Sequence, residues 1–507
     1  MLREVRVENG IVRGLPAADP RITSFKGIPF AAPPVGKNRW RAPQPAQDWE
    51  GVLEAFQFAP IAMQARPGVD KDNIYSREWH VDPDIPMSED CLYLNVWTPA
   101  KSPDERLPVF VWYFGGGLQV GYPSEMEFDG ERIARRGVVV VTINYRLNVF
   151  GFLCHPEITK EAPDAPANFG HLDQQFATRW VQRNIAAFGG DPDNITIGGQ
   201  SAGGGSVLAQ LTSPQNEGLC QRAIIQSGIF APVYPSNHMP PRGRSLADAE
   251  RDGVRFFETL GVSSLEEARS LDAEYIMAKA LEYKGFWGTV VDGAFCVGNP
   301  FELFLDNKRL TVPVLLGHTS DEFFSKPRVE TKDQLKDLAV KMFGDDADEF
   351  LRLCGFESGS IDEVLERASV NSIEYAIRLV GKANADTGAN TPLYYYVFDA
   401  EIPGWDNPGT FHSVDLWFFF ETLAKCWRPF VGKHYDLARQ MCNYWANFIK
   451  TGDPNGKDAT GEDMPQWSPY TPQEPYGMVF CDRSEFTREK PSALVEFLVE
   501  QYFKKER

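Results

Sequence analysis

The sequence predicts an α/β protein with one mostly parallel central sheet flanked by helices, and three observations carry that expectation. Between about residues 92 and 227 short apolar strands alternate with helical stretches, the pattern of a helix-covered sheet. The longest apolar runs, such as "GVVVVTINY", have the length of strands. The 507 residues, 43% apolar and 13% aromatic, supply enough apolar surface for a large packed core.

The elements follow in order. "REVRVENGIVRG" alternates and breaks at Asn9-Gly10, a hairpin signal, and "GIPFAAPPVG" is a proline-ordered loop. "CLYLNVWTP", "LPVFVWYF" and "GVVVVTINY" read as strands, "LDQQFATRWVQRNIAAF" as a helix and "NITIGG" as the next strand, before "SVLAQLTS" and "RAIIQSG". Residues of roughly 235–307 and 331–385 are charged and helical, and "VPVLLGHTSDEFF" between them reads as a buried strand ending in a polar loop. After the strand "PLYYYVFDA" come a loop with His412 and the helix "YDLARQMCNYWANFIKTG". No repeat and no Gly/Ser- or Pro-rich linker divides the chain, so 1–507 reads as a single domain carrying two helical insertions.

Composition narrows the function. A formal charge of −19 opposes binding to phosphate backbones, which draws its affinity from Lys and Arg, so nucleic acid is not an expected partner. No apolar run approaches the roughly 20 residues of a membrane helix, and the charged start "MLREVRVENG" has no apolar signal core. The eight cysteines, none closer than Cys426 and Cys442, match neither a disulfide framework nor metal-ligand spacing, and are expected to be buried thiols.

The chemistry centres on "GGQSAGGGS". Gly199-Gln200-Ser201-Ala202-Gly203 fits the G-x-S-x-G turn that lifts a nucleophilic serine between a strand and a helix, the glycines clearing space for a strained backbone. A serine hydroxyl needs a base, usually histidine, oriented by a carboxylate, and with this turn the chain order is Ser, acid, His. Of the histidines after Ser201, His238 lies in the "PSNHMP" loop, His434 opens a helix and His318 ends a strand beside the acid candidates. His412, in "NPGTFHSVDLWFFF", is left as the expected base. Spacing leaves Asp321 and Glu322 open as the acid. Gly115-Gly116-Gly117 after the strand "VFVWYF" supplies backbone N–H groups of the kind that form an oxyanion hole.

These residues, with "FKGIPFAAPPVGKNRW", "SEDCLYLNVWTP", "VVVTINYRLNVFGF", "AIIQSG" and "TGDPN", resemble the type-B carboxylesterase and cholinesterase family of α/β-hydrolases nearly end to end. The resemblance implies Ser201 as nucleophile, Glu322 as the orienting acid and His412 as base, with the N–H groups of Gly116, Gly117 and Ala202 as the oxyanion hole. It also implies that Ser227 hydrogen-bonds near the acid. The chain departs from the family in four places. Gln200 stands for the usual Glu, Phe323 for the usual Gly after the acid, Phe114 for the commoner His or Tyr, and Met63 for the cysteine that many secreted members pair with the equivalent of Cys91. Without that disulfide a reducing, cytoplasmic setting is expected, as in bacterial members such as para-nitrobenzyl-esterase-like enzymes.

The expected activity is hydrolysis of carboxylic esters through an acyl-enzyme, on a small-molecule ester and with no metal or organic cofactor. The alternatives are another acyl bond (amide, carbamate or thioester) or a non-catalytic recognition domain of the kind some relatives have become. Leu118 and Trp287 are candidate linings of an apolar pocket. The run Trp417 to Phe420, at helical spacing, could join them, although core packing is the commoner fate of such a run.

Overall fold

The computed structural model describes the chain except for residues 236–242, 284, 389–390, 483, 487–489 and 506–507. Among the described residues an eleven-stranded sheet forms the centre. In chain order its strands are β1 (Leu15–Pro16), β2 (Thr23–Pro29), β3 (Tyr93–Thr98), β4 (Leu107–Tyr113), β5 (Val139–Ile143), β6 (Gly190–Gln200), β7 (Arg222–Gln226), β8 (Val314–Thr319), β9 (Leu393–Phe398), β10 (Met478–Phe480) and β11 (Ser484–Phe486). Across the sheet they lie in the order β11-β10-β9-β8-β7-β6-β4-β5-β3-β2-β1. The strands from β10 to β5 in that order are mutually parallel, and β11, β3, β2 and β1 join the edges antiparallel.

The parallel strands read as unbroken apolar runs because helices cover both of their faces; every residue of β5 and β8 is buried. The helices Phe169–Asn184, Ala202–Thr212, Ser372–Thr387 and Gly432–Thr451 all pack on the parallel strands. Trp417, Phe418, Phe419 and Phe420 are fully buried. Phe419 and Phe420 pack on Trp112, and Phe419 also meets Trp445, so this run is core.

The expected hairpin is present as Glu4–Val7 paired with Gly10–Arg13. Val7 pairs with Gly10, which centres the turn on Glu8-Asn9, one residue earlier than the Asn9-Gly10 signal. A Cβ on Gly10 would stand 2.4 Å from the Trp49 indole nitrogen, so the glycine serves packing. The described part of the first insertion holds the helices Leu246–Leu260, Leu265–Ser270, Ala273–Tyr283 and Pro300–Leu305. The second opens with Lys332–Phe343, capped by Thr331, and continues as Ala347–Leu353 after Gly344, whose φ of +54° ends the first helix. Among the described residues no helix is long and apolar enough to cross a membrane.

Candidate active site

Strand order explains how residues so far apart meet. β4, β6, β7, β8 and β9 are consecutive neighbours and all point the same way. Gly115, Ser201, Ser227, Glu322 and His412 each follow the C-terminal end of one of them. Side chains on those loops therefore gather at one edge of the sheet, where open α/β sheets form their sites.

The turn at Ser201 is tight. Ser201 holds φ 55° and ψ −125°, a region costly for a residue with a Cβ, and its amide donates to Gln226 O at 2.8 Å. The helix Ala202–Thr212 starts at the next residue. A Cβ on Gly199 would lie 2.4 Å from the carbonyl of Gly203, and one on Gly203 would lie 2.1 Å from Tyr113 O. Both glycines are thus required by contact, and the serine is left at the end of β6 facing a cavity.

Glu322 and His412 are joined through Glu322 Oε2 and His412 Nδ1. Glu322 Oε1 accepts from Ser227 Oγ at 2.6 Å and from the Thr319 amide at 2.8 Å. Burial disfavours the Glu322 charge, but the hydrogen bond and charge of His412, together with His318 and Ser227, outweigh it and hold this carboxyl below its ordinary range. An ionised carboxylate only accepts, so Nδ1 carries the proton and Nε2 is left with its lone pair. The amide of Gln200 stands 3.3 Å from that Nε2.

The other candidates have separate partners. Asp321 accepts from the Thr410 amide at 2.8 Å and so ties down the loop that carries His412. His318 is buried, 2.7 Å from Thr319 O and 2.9 Å from the Tyr395 hydroxyl. His434 accepts from the Val431 amide at 3.0 Å and caps the helix Gly432–Thr451. His238 lies outside the described residues.

The glycine triplet lies against the serine: a Cβ on Gly115 would be 2.7 Å from Gln200 O and 3.1 Å from Ser201 Cβ. Gly116 has φ 111°, and a Cβ there would overlap Val120 O at 2.0 Å. Side chains outside the loop brace it. Tyr145 donates to Phe114 O at 2.6 Å and stacks on the Phe114 ring at 4.3 Å, Asn148 Nδ2 donates to Gln119 O at 3.1 Å, and Gln64 Oε1 accepts from the Gly121 amide at 2.8 Å.

Ser201, His412 and the glycine triplet share a cavity of about 300 Å³. Tyr75, Trp79, Phe323 and Leu416 form much of its apolar wall, and Glu125 and Glu127 line another side. Burial and the neighbouring Glu125 charge push the Glu127 carboxyl well above its ordinary range. Leu118 and Trp287, the candidate pocket residues, are not in this lining. Leu118 is buried, with φ 61°, and Trp287 packs within the first insertion on Tyr283 and Phe256. Trp287 touches the loop through its carbonyl, which accepts from Gln119 Nε2. Sequence reasoning passed over Tyr75, Trp79 and Glu127, because a short helix, Ile74–Glu78, and a three-residue turn, Met126–Phe128, carry no motif. A wider groove of about 810 Å³ adjoins the cavity and shares Asn73, His80 and Val120 with it.

The sequence profile of the Carboxylesterase family matches residues 2–353 and 357–493. The chain belongs to that family. Among curated relatives, this carboxylesterase-family chain is 31% identical to an acetylcholinesterase of Bungarus fasciatus over 93% of its own length and 82% of the relative's. It is 32% identical to a fumonisin B1 esterase of Sphingopyxis macrogoltabida over 88% of its length and 82% of the relative's. Solved structures agree in fold. The Geobacillus stearothermophilus carboxylesterase EST55 superposes with TM-score 0.76 at 32% identity, covering 98% of this chain and all of that one. A PNB esterase structure superposes with TM-score 0.79 at 27% identity, covering 98% of this chain and 99% of its own.

Proposed function

We propose that the protein is a serine carboxylesterase. Ser201 Oγ attacks the ester carbonyl while His412 Nε2 takes its proton, and the N–H groups of Gly116, Gly117 and Ala202 receive the oxyanion. The tetrahedral intermediate then collapses, His412 returns the proton to the departing alkoxide, and Ser201 is left acylated. Water, deprotonated by the same histidine, attacks the acyl-enzyme and releases the carboxylic acid and the serine. Glu322 stays ionised throughout, fixing the tautomer of His412 and stabilising the imidazolium. The observation that carries this reading is His412, hydrogen-bonded to the buried Glu322, in one cavity with Ser201 on its strained turn.

The experiment is kcat/KM across p-nitrophenyl esters from acetate to decanoate, beside a matched anilide, for the wild type and Ser201→Ala. The expected result is ester turnover that falls at least about a thousandfold in the variant, with the melting temperature kept. Ester turnover that survives in pure Ser201→Ala protein would overturn the proposal. Faster anilide than ester hydrolysis would move the assignment to amides.

A further inference from the structure

We propose that Phe323 determines which alcohol groups the site accepts, an inference that rests on the esterase reading above. Phe323 directly follows Glu322 and holds φ +49°, a backbone region that a bulky L side chain enters at a steric cost. Contacts from outside hold it there. Ser372 donates to Phe323 O from its amide at 3.1 Å and from its hydroxyl at 2.8 Å, while Asn371 Nδ2 donates to Glu322 O at 2.8 Å. A glycine would make the same turn without the steric cost, so what this position adds is the ring.

The ring is not core. It is 44% exposed and meets the His412 imidazole edge to face, with centroids 4.7 Å apart and planes at 83°. Phe230 buttresses it at 4.8 Å, also edge to face. It forms part of the wall of the cavity that holds Ser201 and His412.

The reaction says which half of the substrate lies there. His412 returns its proton to the alkoxide oxygen, so that oxygen must come within hydrogen-bond reach of the imidazole. A wall standing on the imidazole therefore bounds the alcohol half, and the acyl half extends from the other side of the carbonyl. The cavity, at about 300 Å³, is at the small end of ligand sites, so the ring excludes bulk next to the ester oxygen. The substrate class is then esters whose alcohol half is slender or flat beside the ester oxygen, with branched and tertiary alcohols rejected.

The test uses Phe323→Ala and Phe323→Gly, the second because glycine keeps the turn if alanine does not fold. Kinetic constants are measured on ethyl, isopropyl and tert-butyl acetate, and separately on the p-nitrophenyl acyl series. The expected result is a rise of about tenfold or more in the ratio of tert-butyl to ethyl turnover, the scale of discrimination that a few apolar atoms in a pocket provide. The acyl-chain profile should stay unchanged. An unchanged alcohol ratio in a folded variant, or equal changes in both series, would overturn the assignment of Phe323 while leaving the esterase reading intact. Wild-type protein with no Ser201-dependent turnover of any ester would overturn both.

Discussion

At Gln200 one amide decides what faces the His412 imidazole. It stands 3.3 Å from His412 Nε2, the nitrogen that takes the proton of Ser201 in the proposed reaction. A carboxylate at the same distance would favour the imidazolium over the neutral ring. Gln200→Glu is therefore expected to shift the acidic limb of the pH profile of kcat/KM to higher pH, with p-nitrophenyl acetate as the reporter. Profiles that overlay would show that the amide does not sense the base. At this scale the sequence was most readable where stereochemistry is demanding. The glycines at 199 and 203 have no room for a Cβ, and that need is printed in the motif. Spacing could not separate Asp321 from Glu322, because the two are adjacent and only the loop geometry sends one to Thr410 and the other to His412. The contact of Phe323 with His412 was hidden for the same reason, since it joins residues from the loops after β8 and β9.

Neighbouring elements meet beneath the site at Asp415, the first residue of the helix Asp415–Phe419. Its Oδ2 accepts from Tyr396 of β9 at 2.7 Å and from Gln226 of β7 at 3.2 Å, and its Oδ1 is buried with no hydrogen-bond partner. Burial pushes this carboxyl up to about 6, with the Glu322 charge adding to the rise. A raised carboxyl pKa means that the folded chain holds the proton more tightly than the unfolded chain. The stability it contributes is present below the unfolded value and lost as pH rises through about 6. Asp415→Asn removes that loss, so its unfolding free energy should exceed that of the wild type above pH 7 by on the order of 3 kcal/mol, seen as a higher melting temperature, with the gap closing towards pH 4. Thermal melts across that range check the sign; a gap that widens on acidification would refute it. Among elements, the central strands were legible because burial on both faces leaves unbroken apolar runs. The helix Ala493–Lys505 and the strands β10 and β11 at one end of the sheet were not read from the sequence, being short or lacking a pattern as clear. Trp287 packs on its neighbours Phe256 and Tyr283, a surrounding that nothing local in the sequence distinguishes from a pocket wall.

For the molecule as a whole, the cavity and the groove lie side by side and share Asn73, His80 and Val120. The groove runs between the segment around residues 63–87 and the helix Ala273–Tyr283. Val69 and Leu281, among its lining, are 63% and 53% exposed. A decanoyl chain exceeds what the inner cavity holds once the ester is in place, and the adjoining groove offers its tail an apolar bed. Leu281→Glu should therefore lower kcat/KM for p-nitrophenyl decanoate about tenfold relative to acetate, since each methylene kept from water contributes about 0.8 kcal/mol. Equal effects on both esters would mean that the tail leaves by another route. The strand order has a consequence for time as well as for place. The glycine triplet, the serine, the acid and the histidine sit on strand ends separated by long stretches of chain, and no segment holds more than one part. Chain segments so distant must close large loops before any of these contacts forms, and contacts of high sequence separation are slow to form. If Ser201 is the nucleophile proposed above, its labelling by a serine-directed phosphonate requires the strands from β4 to β9 to stand in register, and a labelled molecule is then one whose sheet has finished assembling.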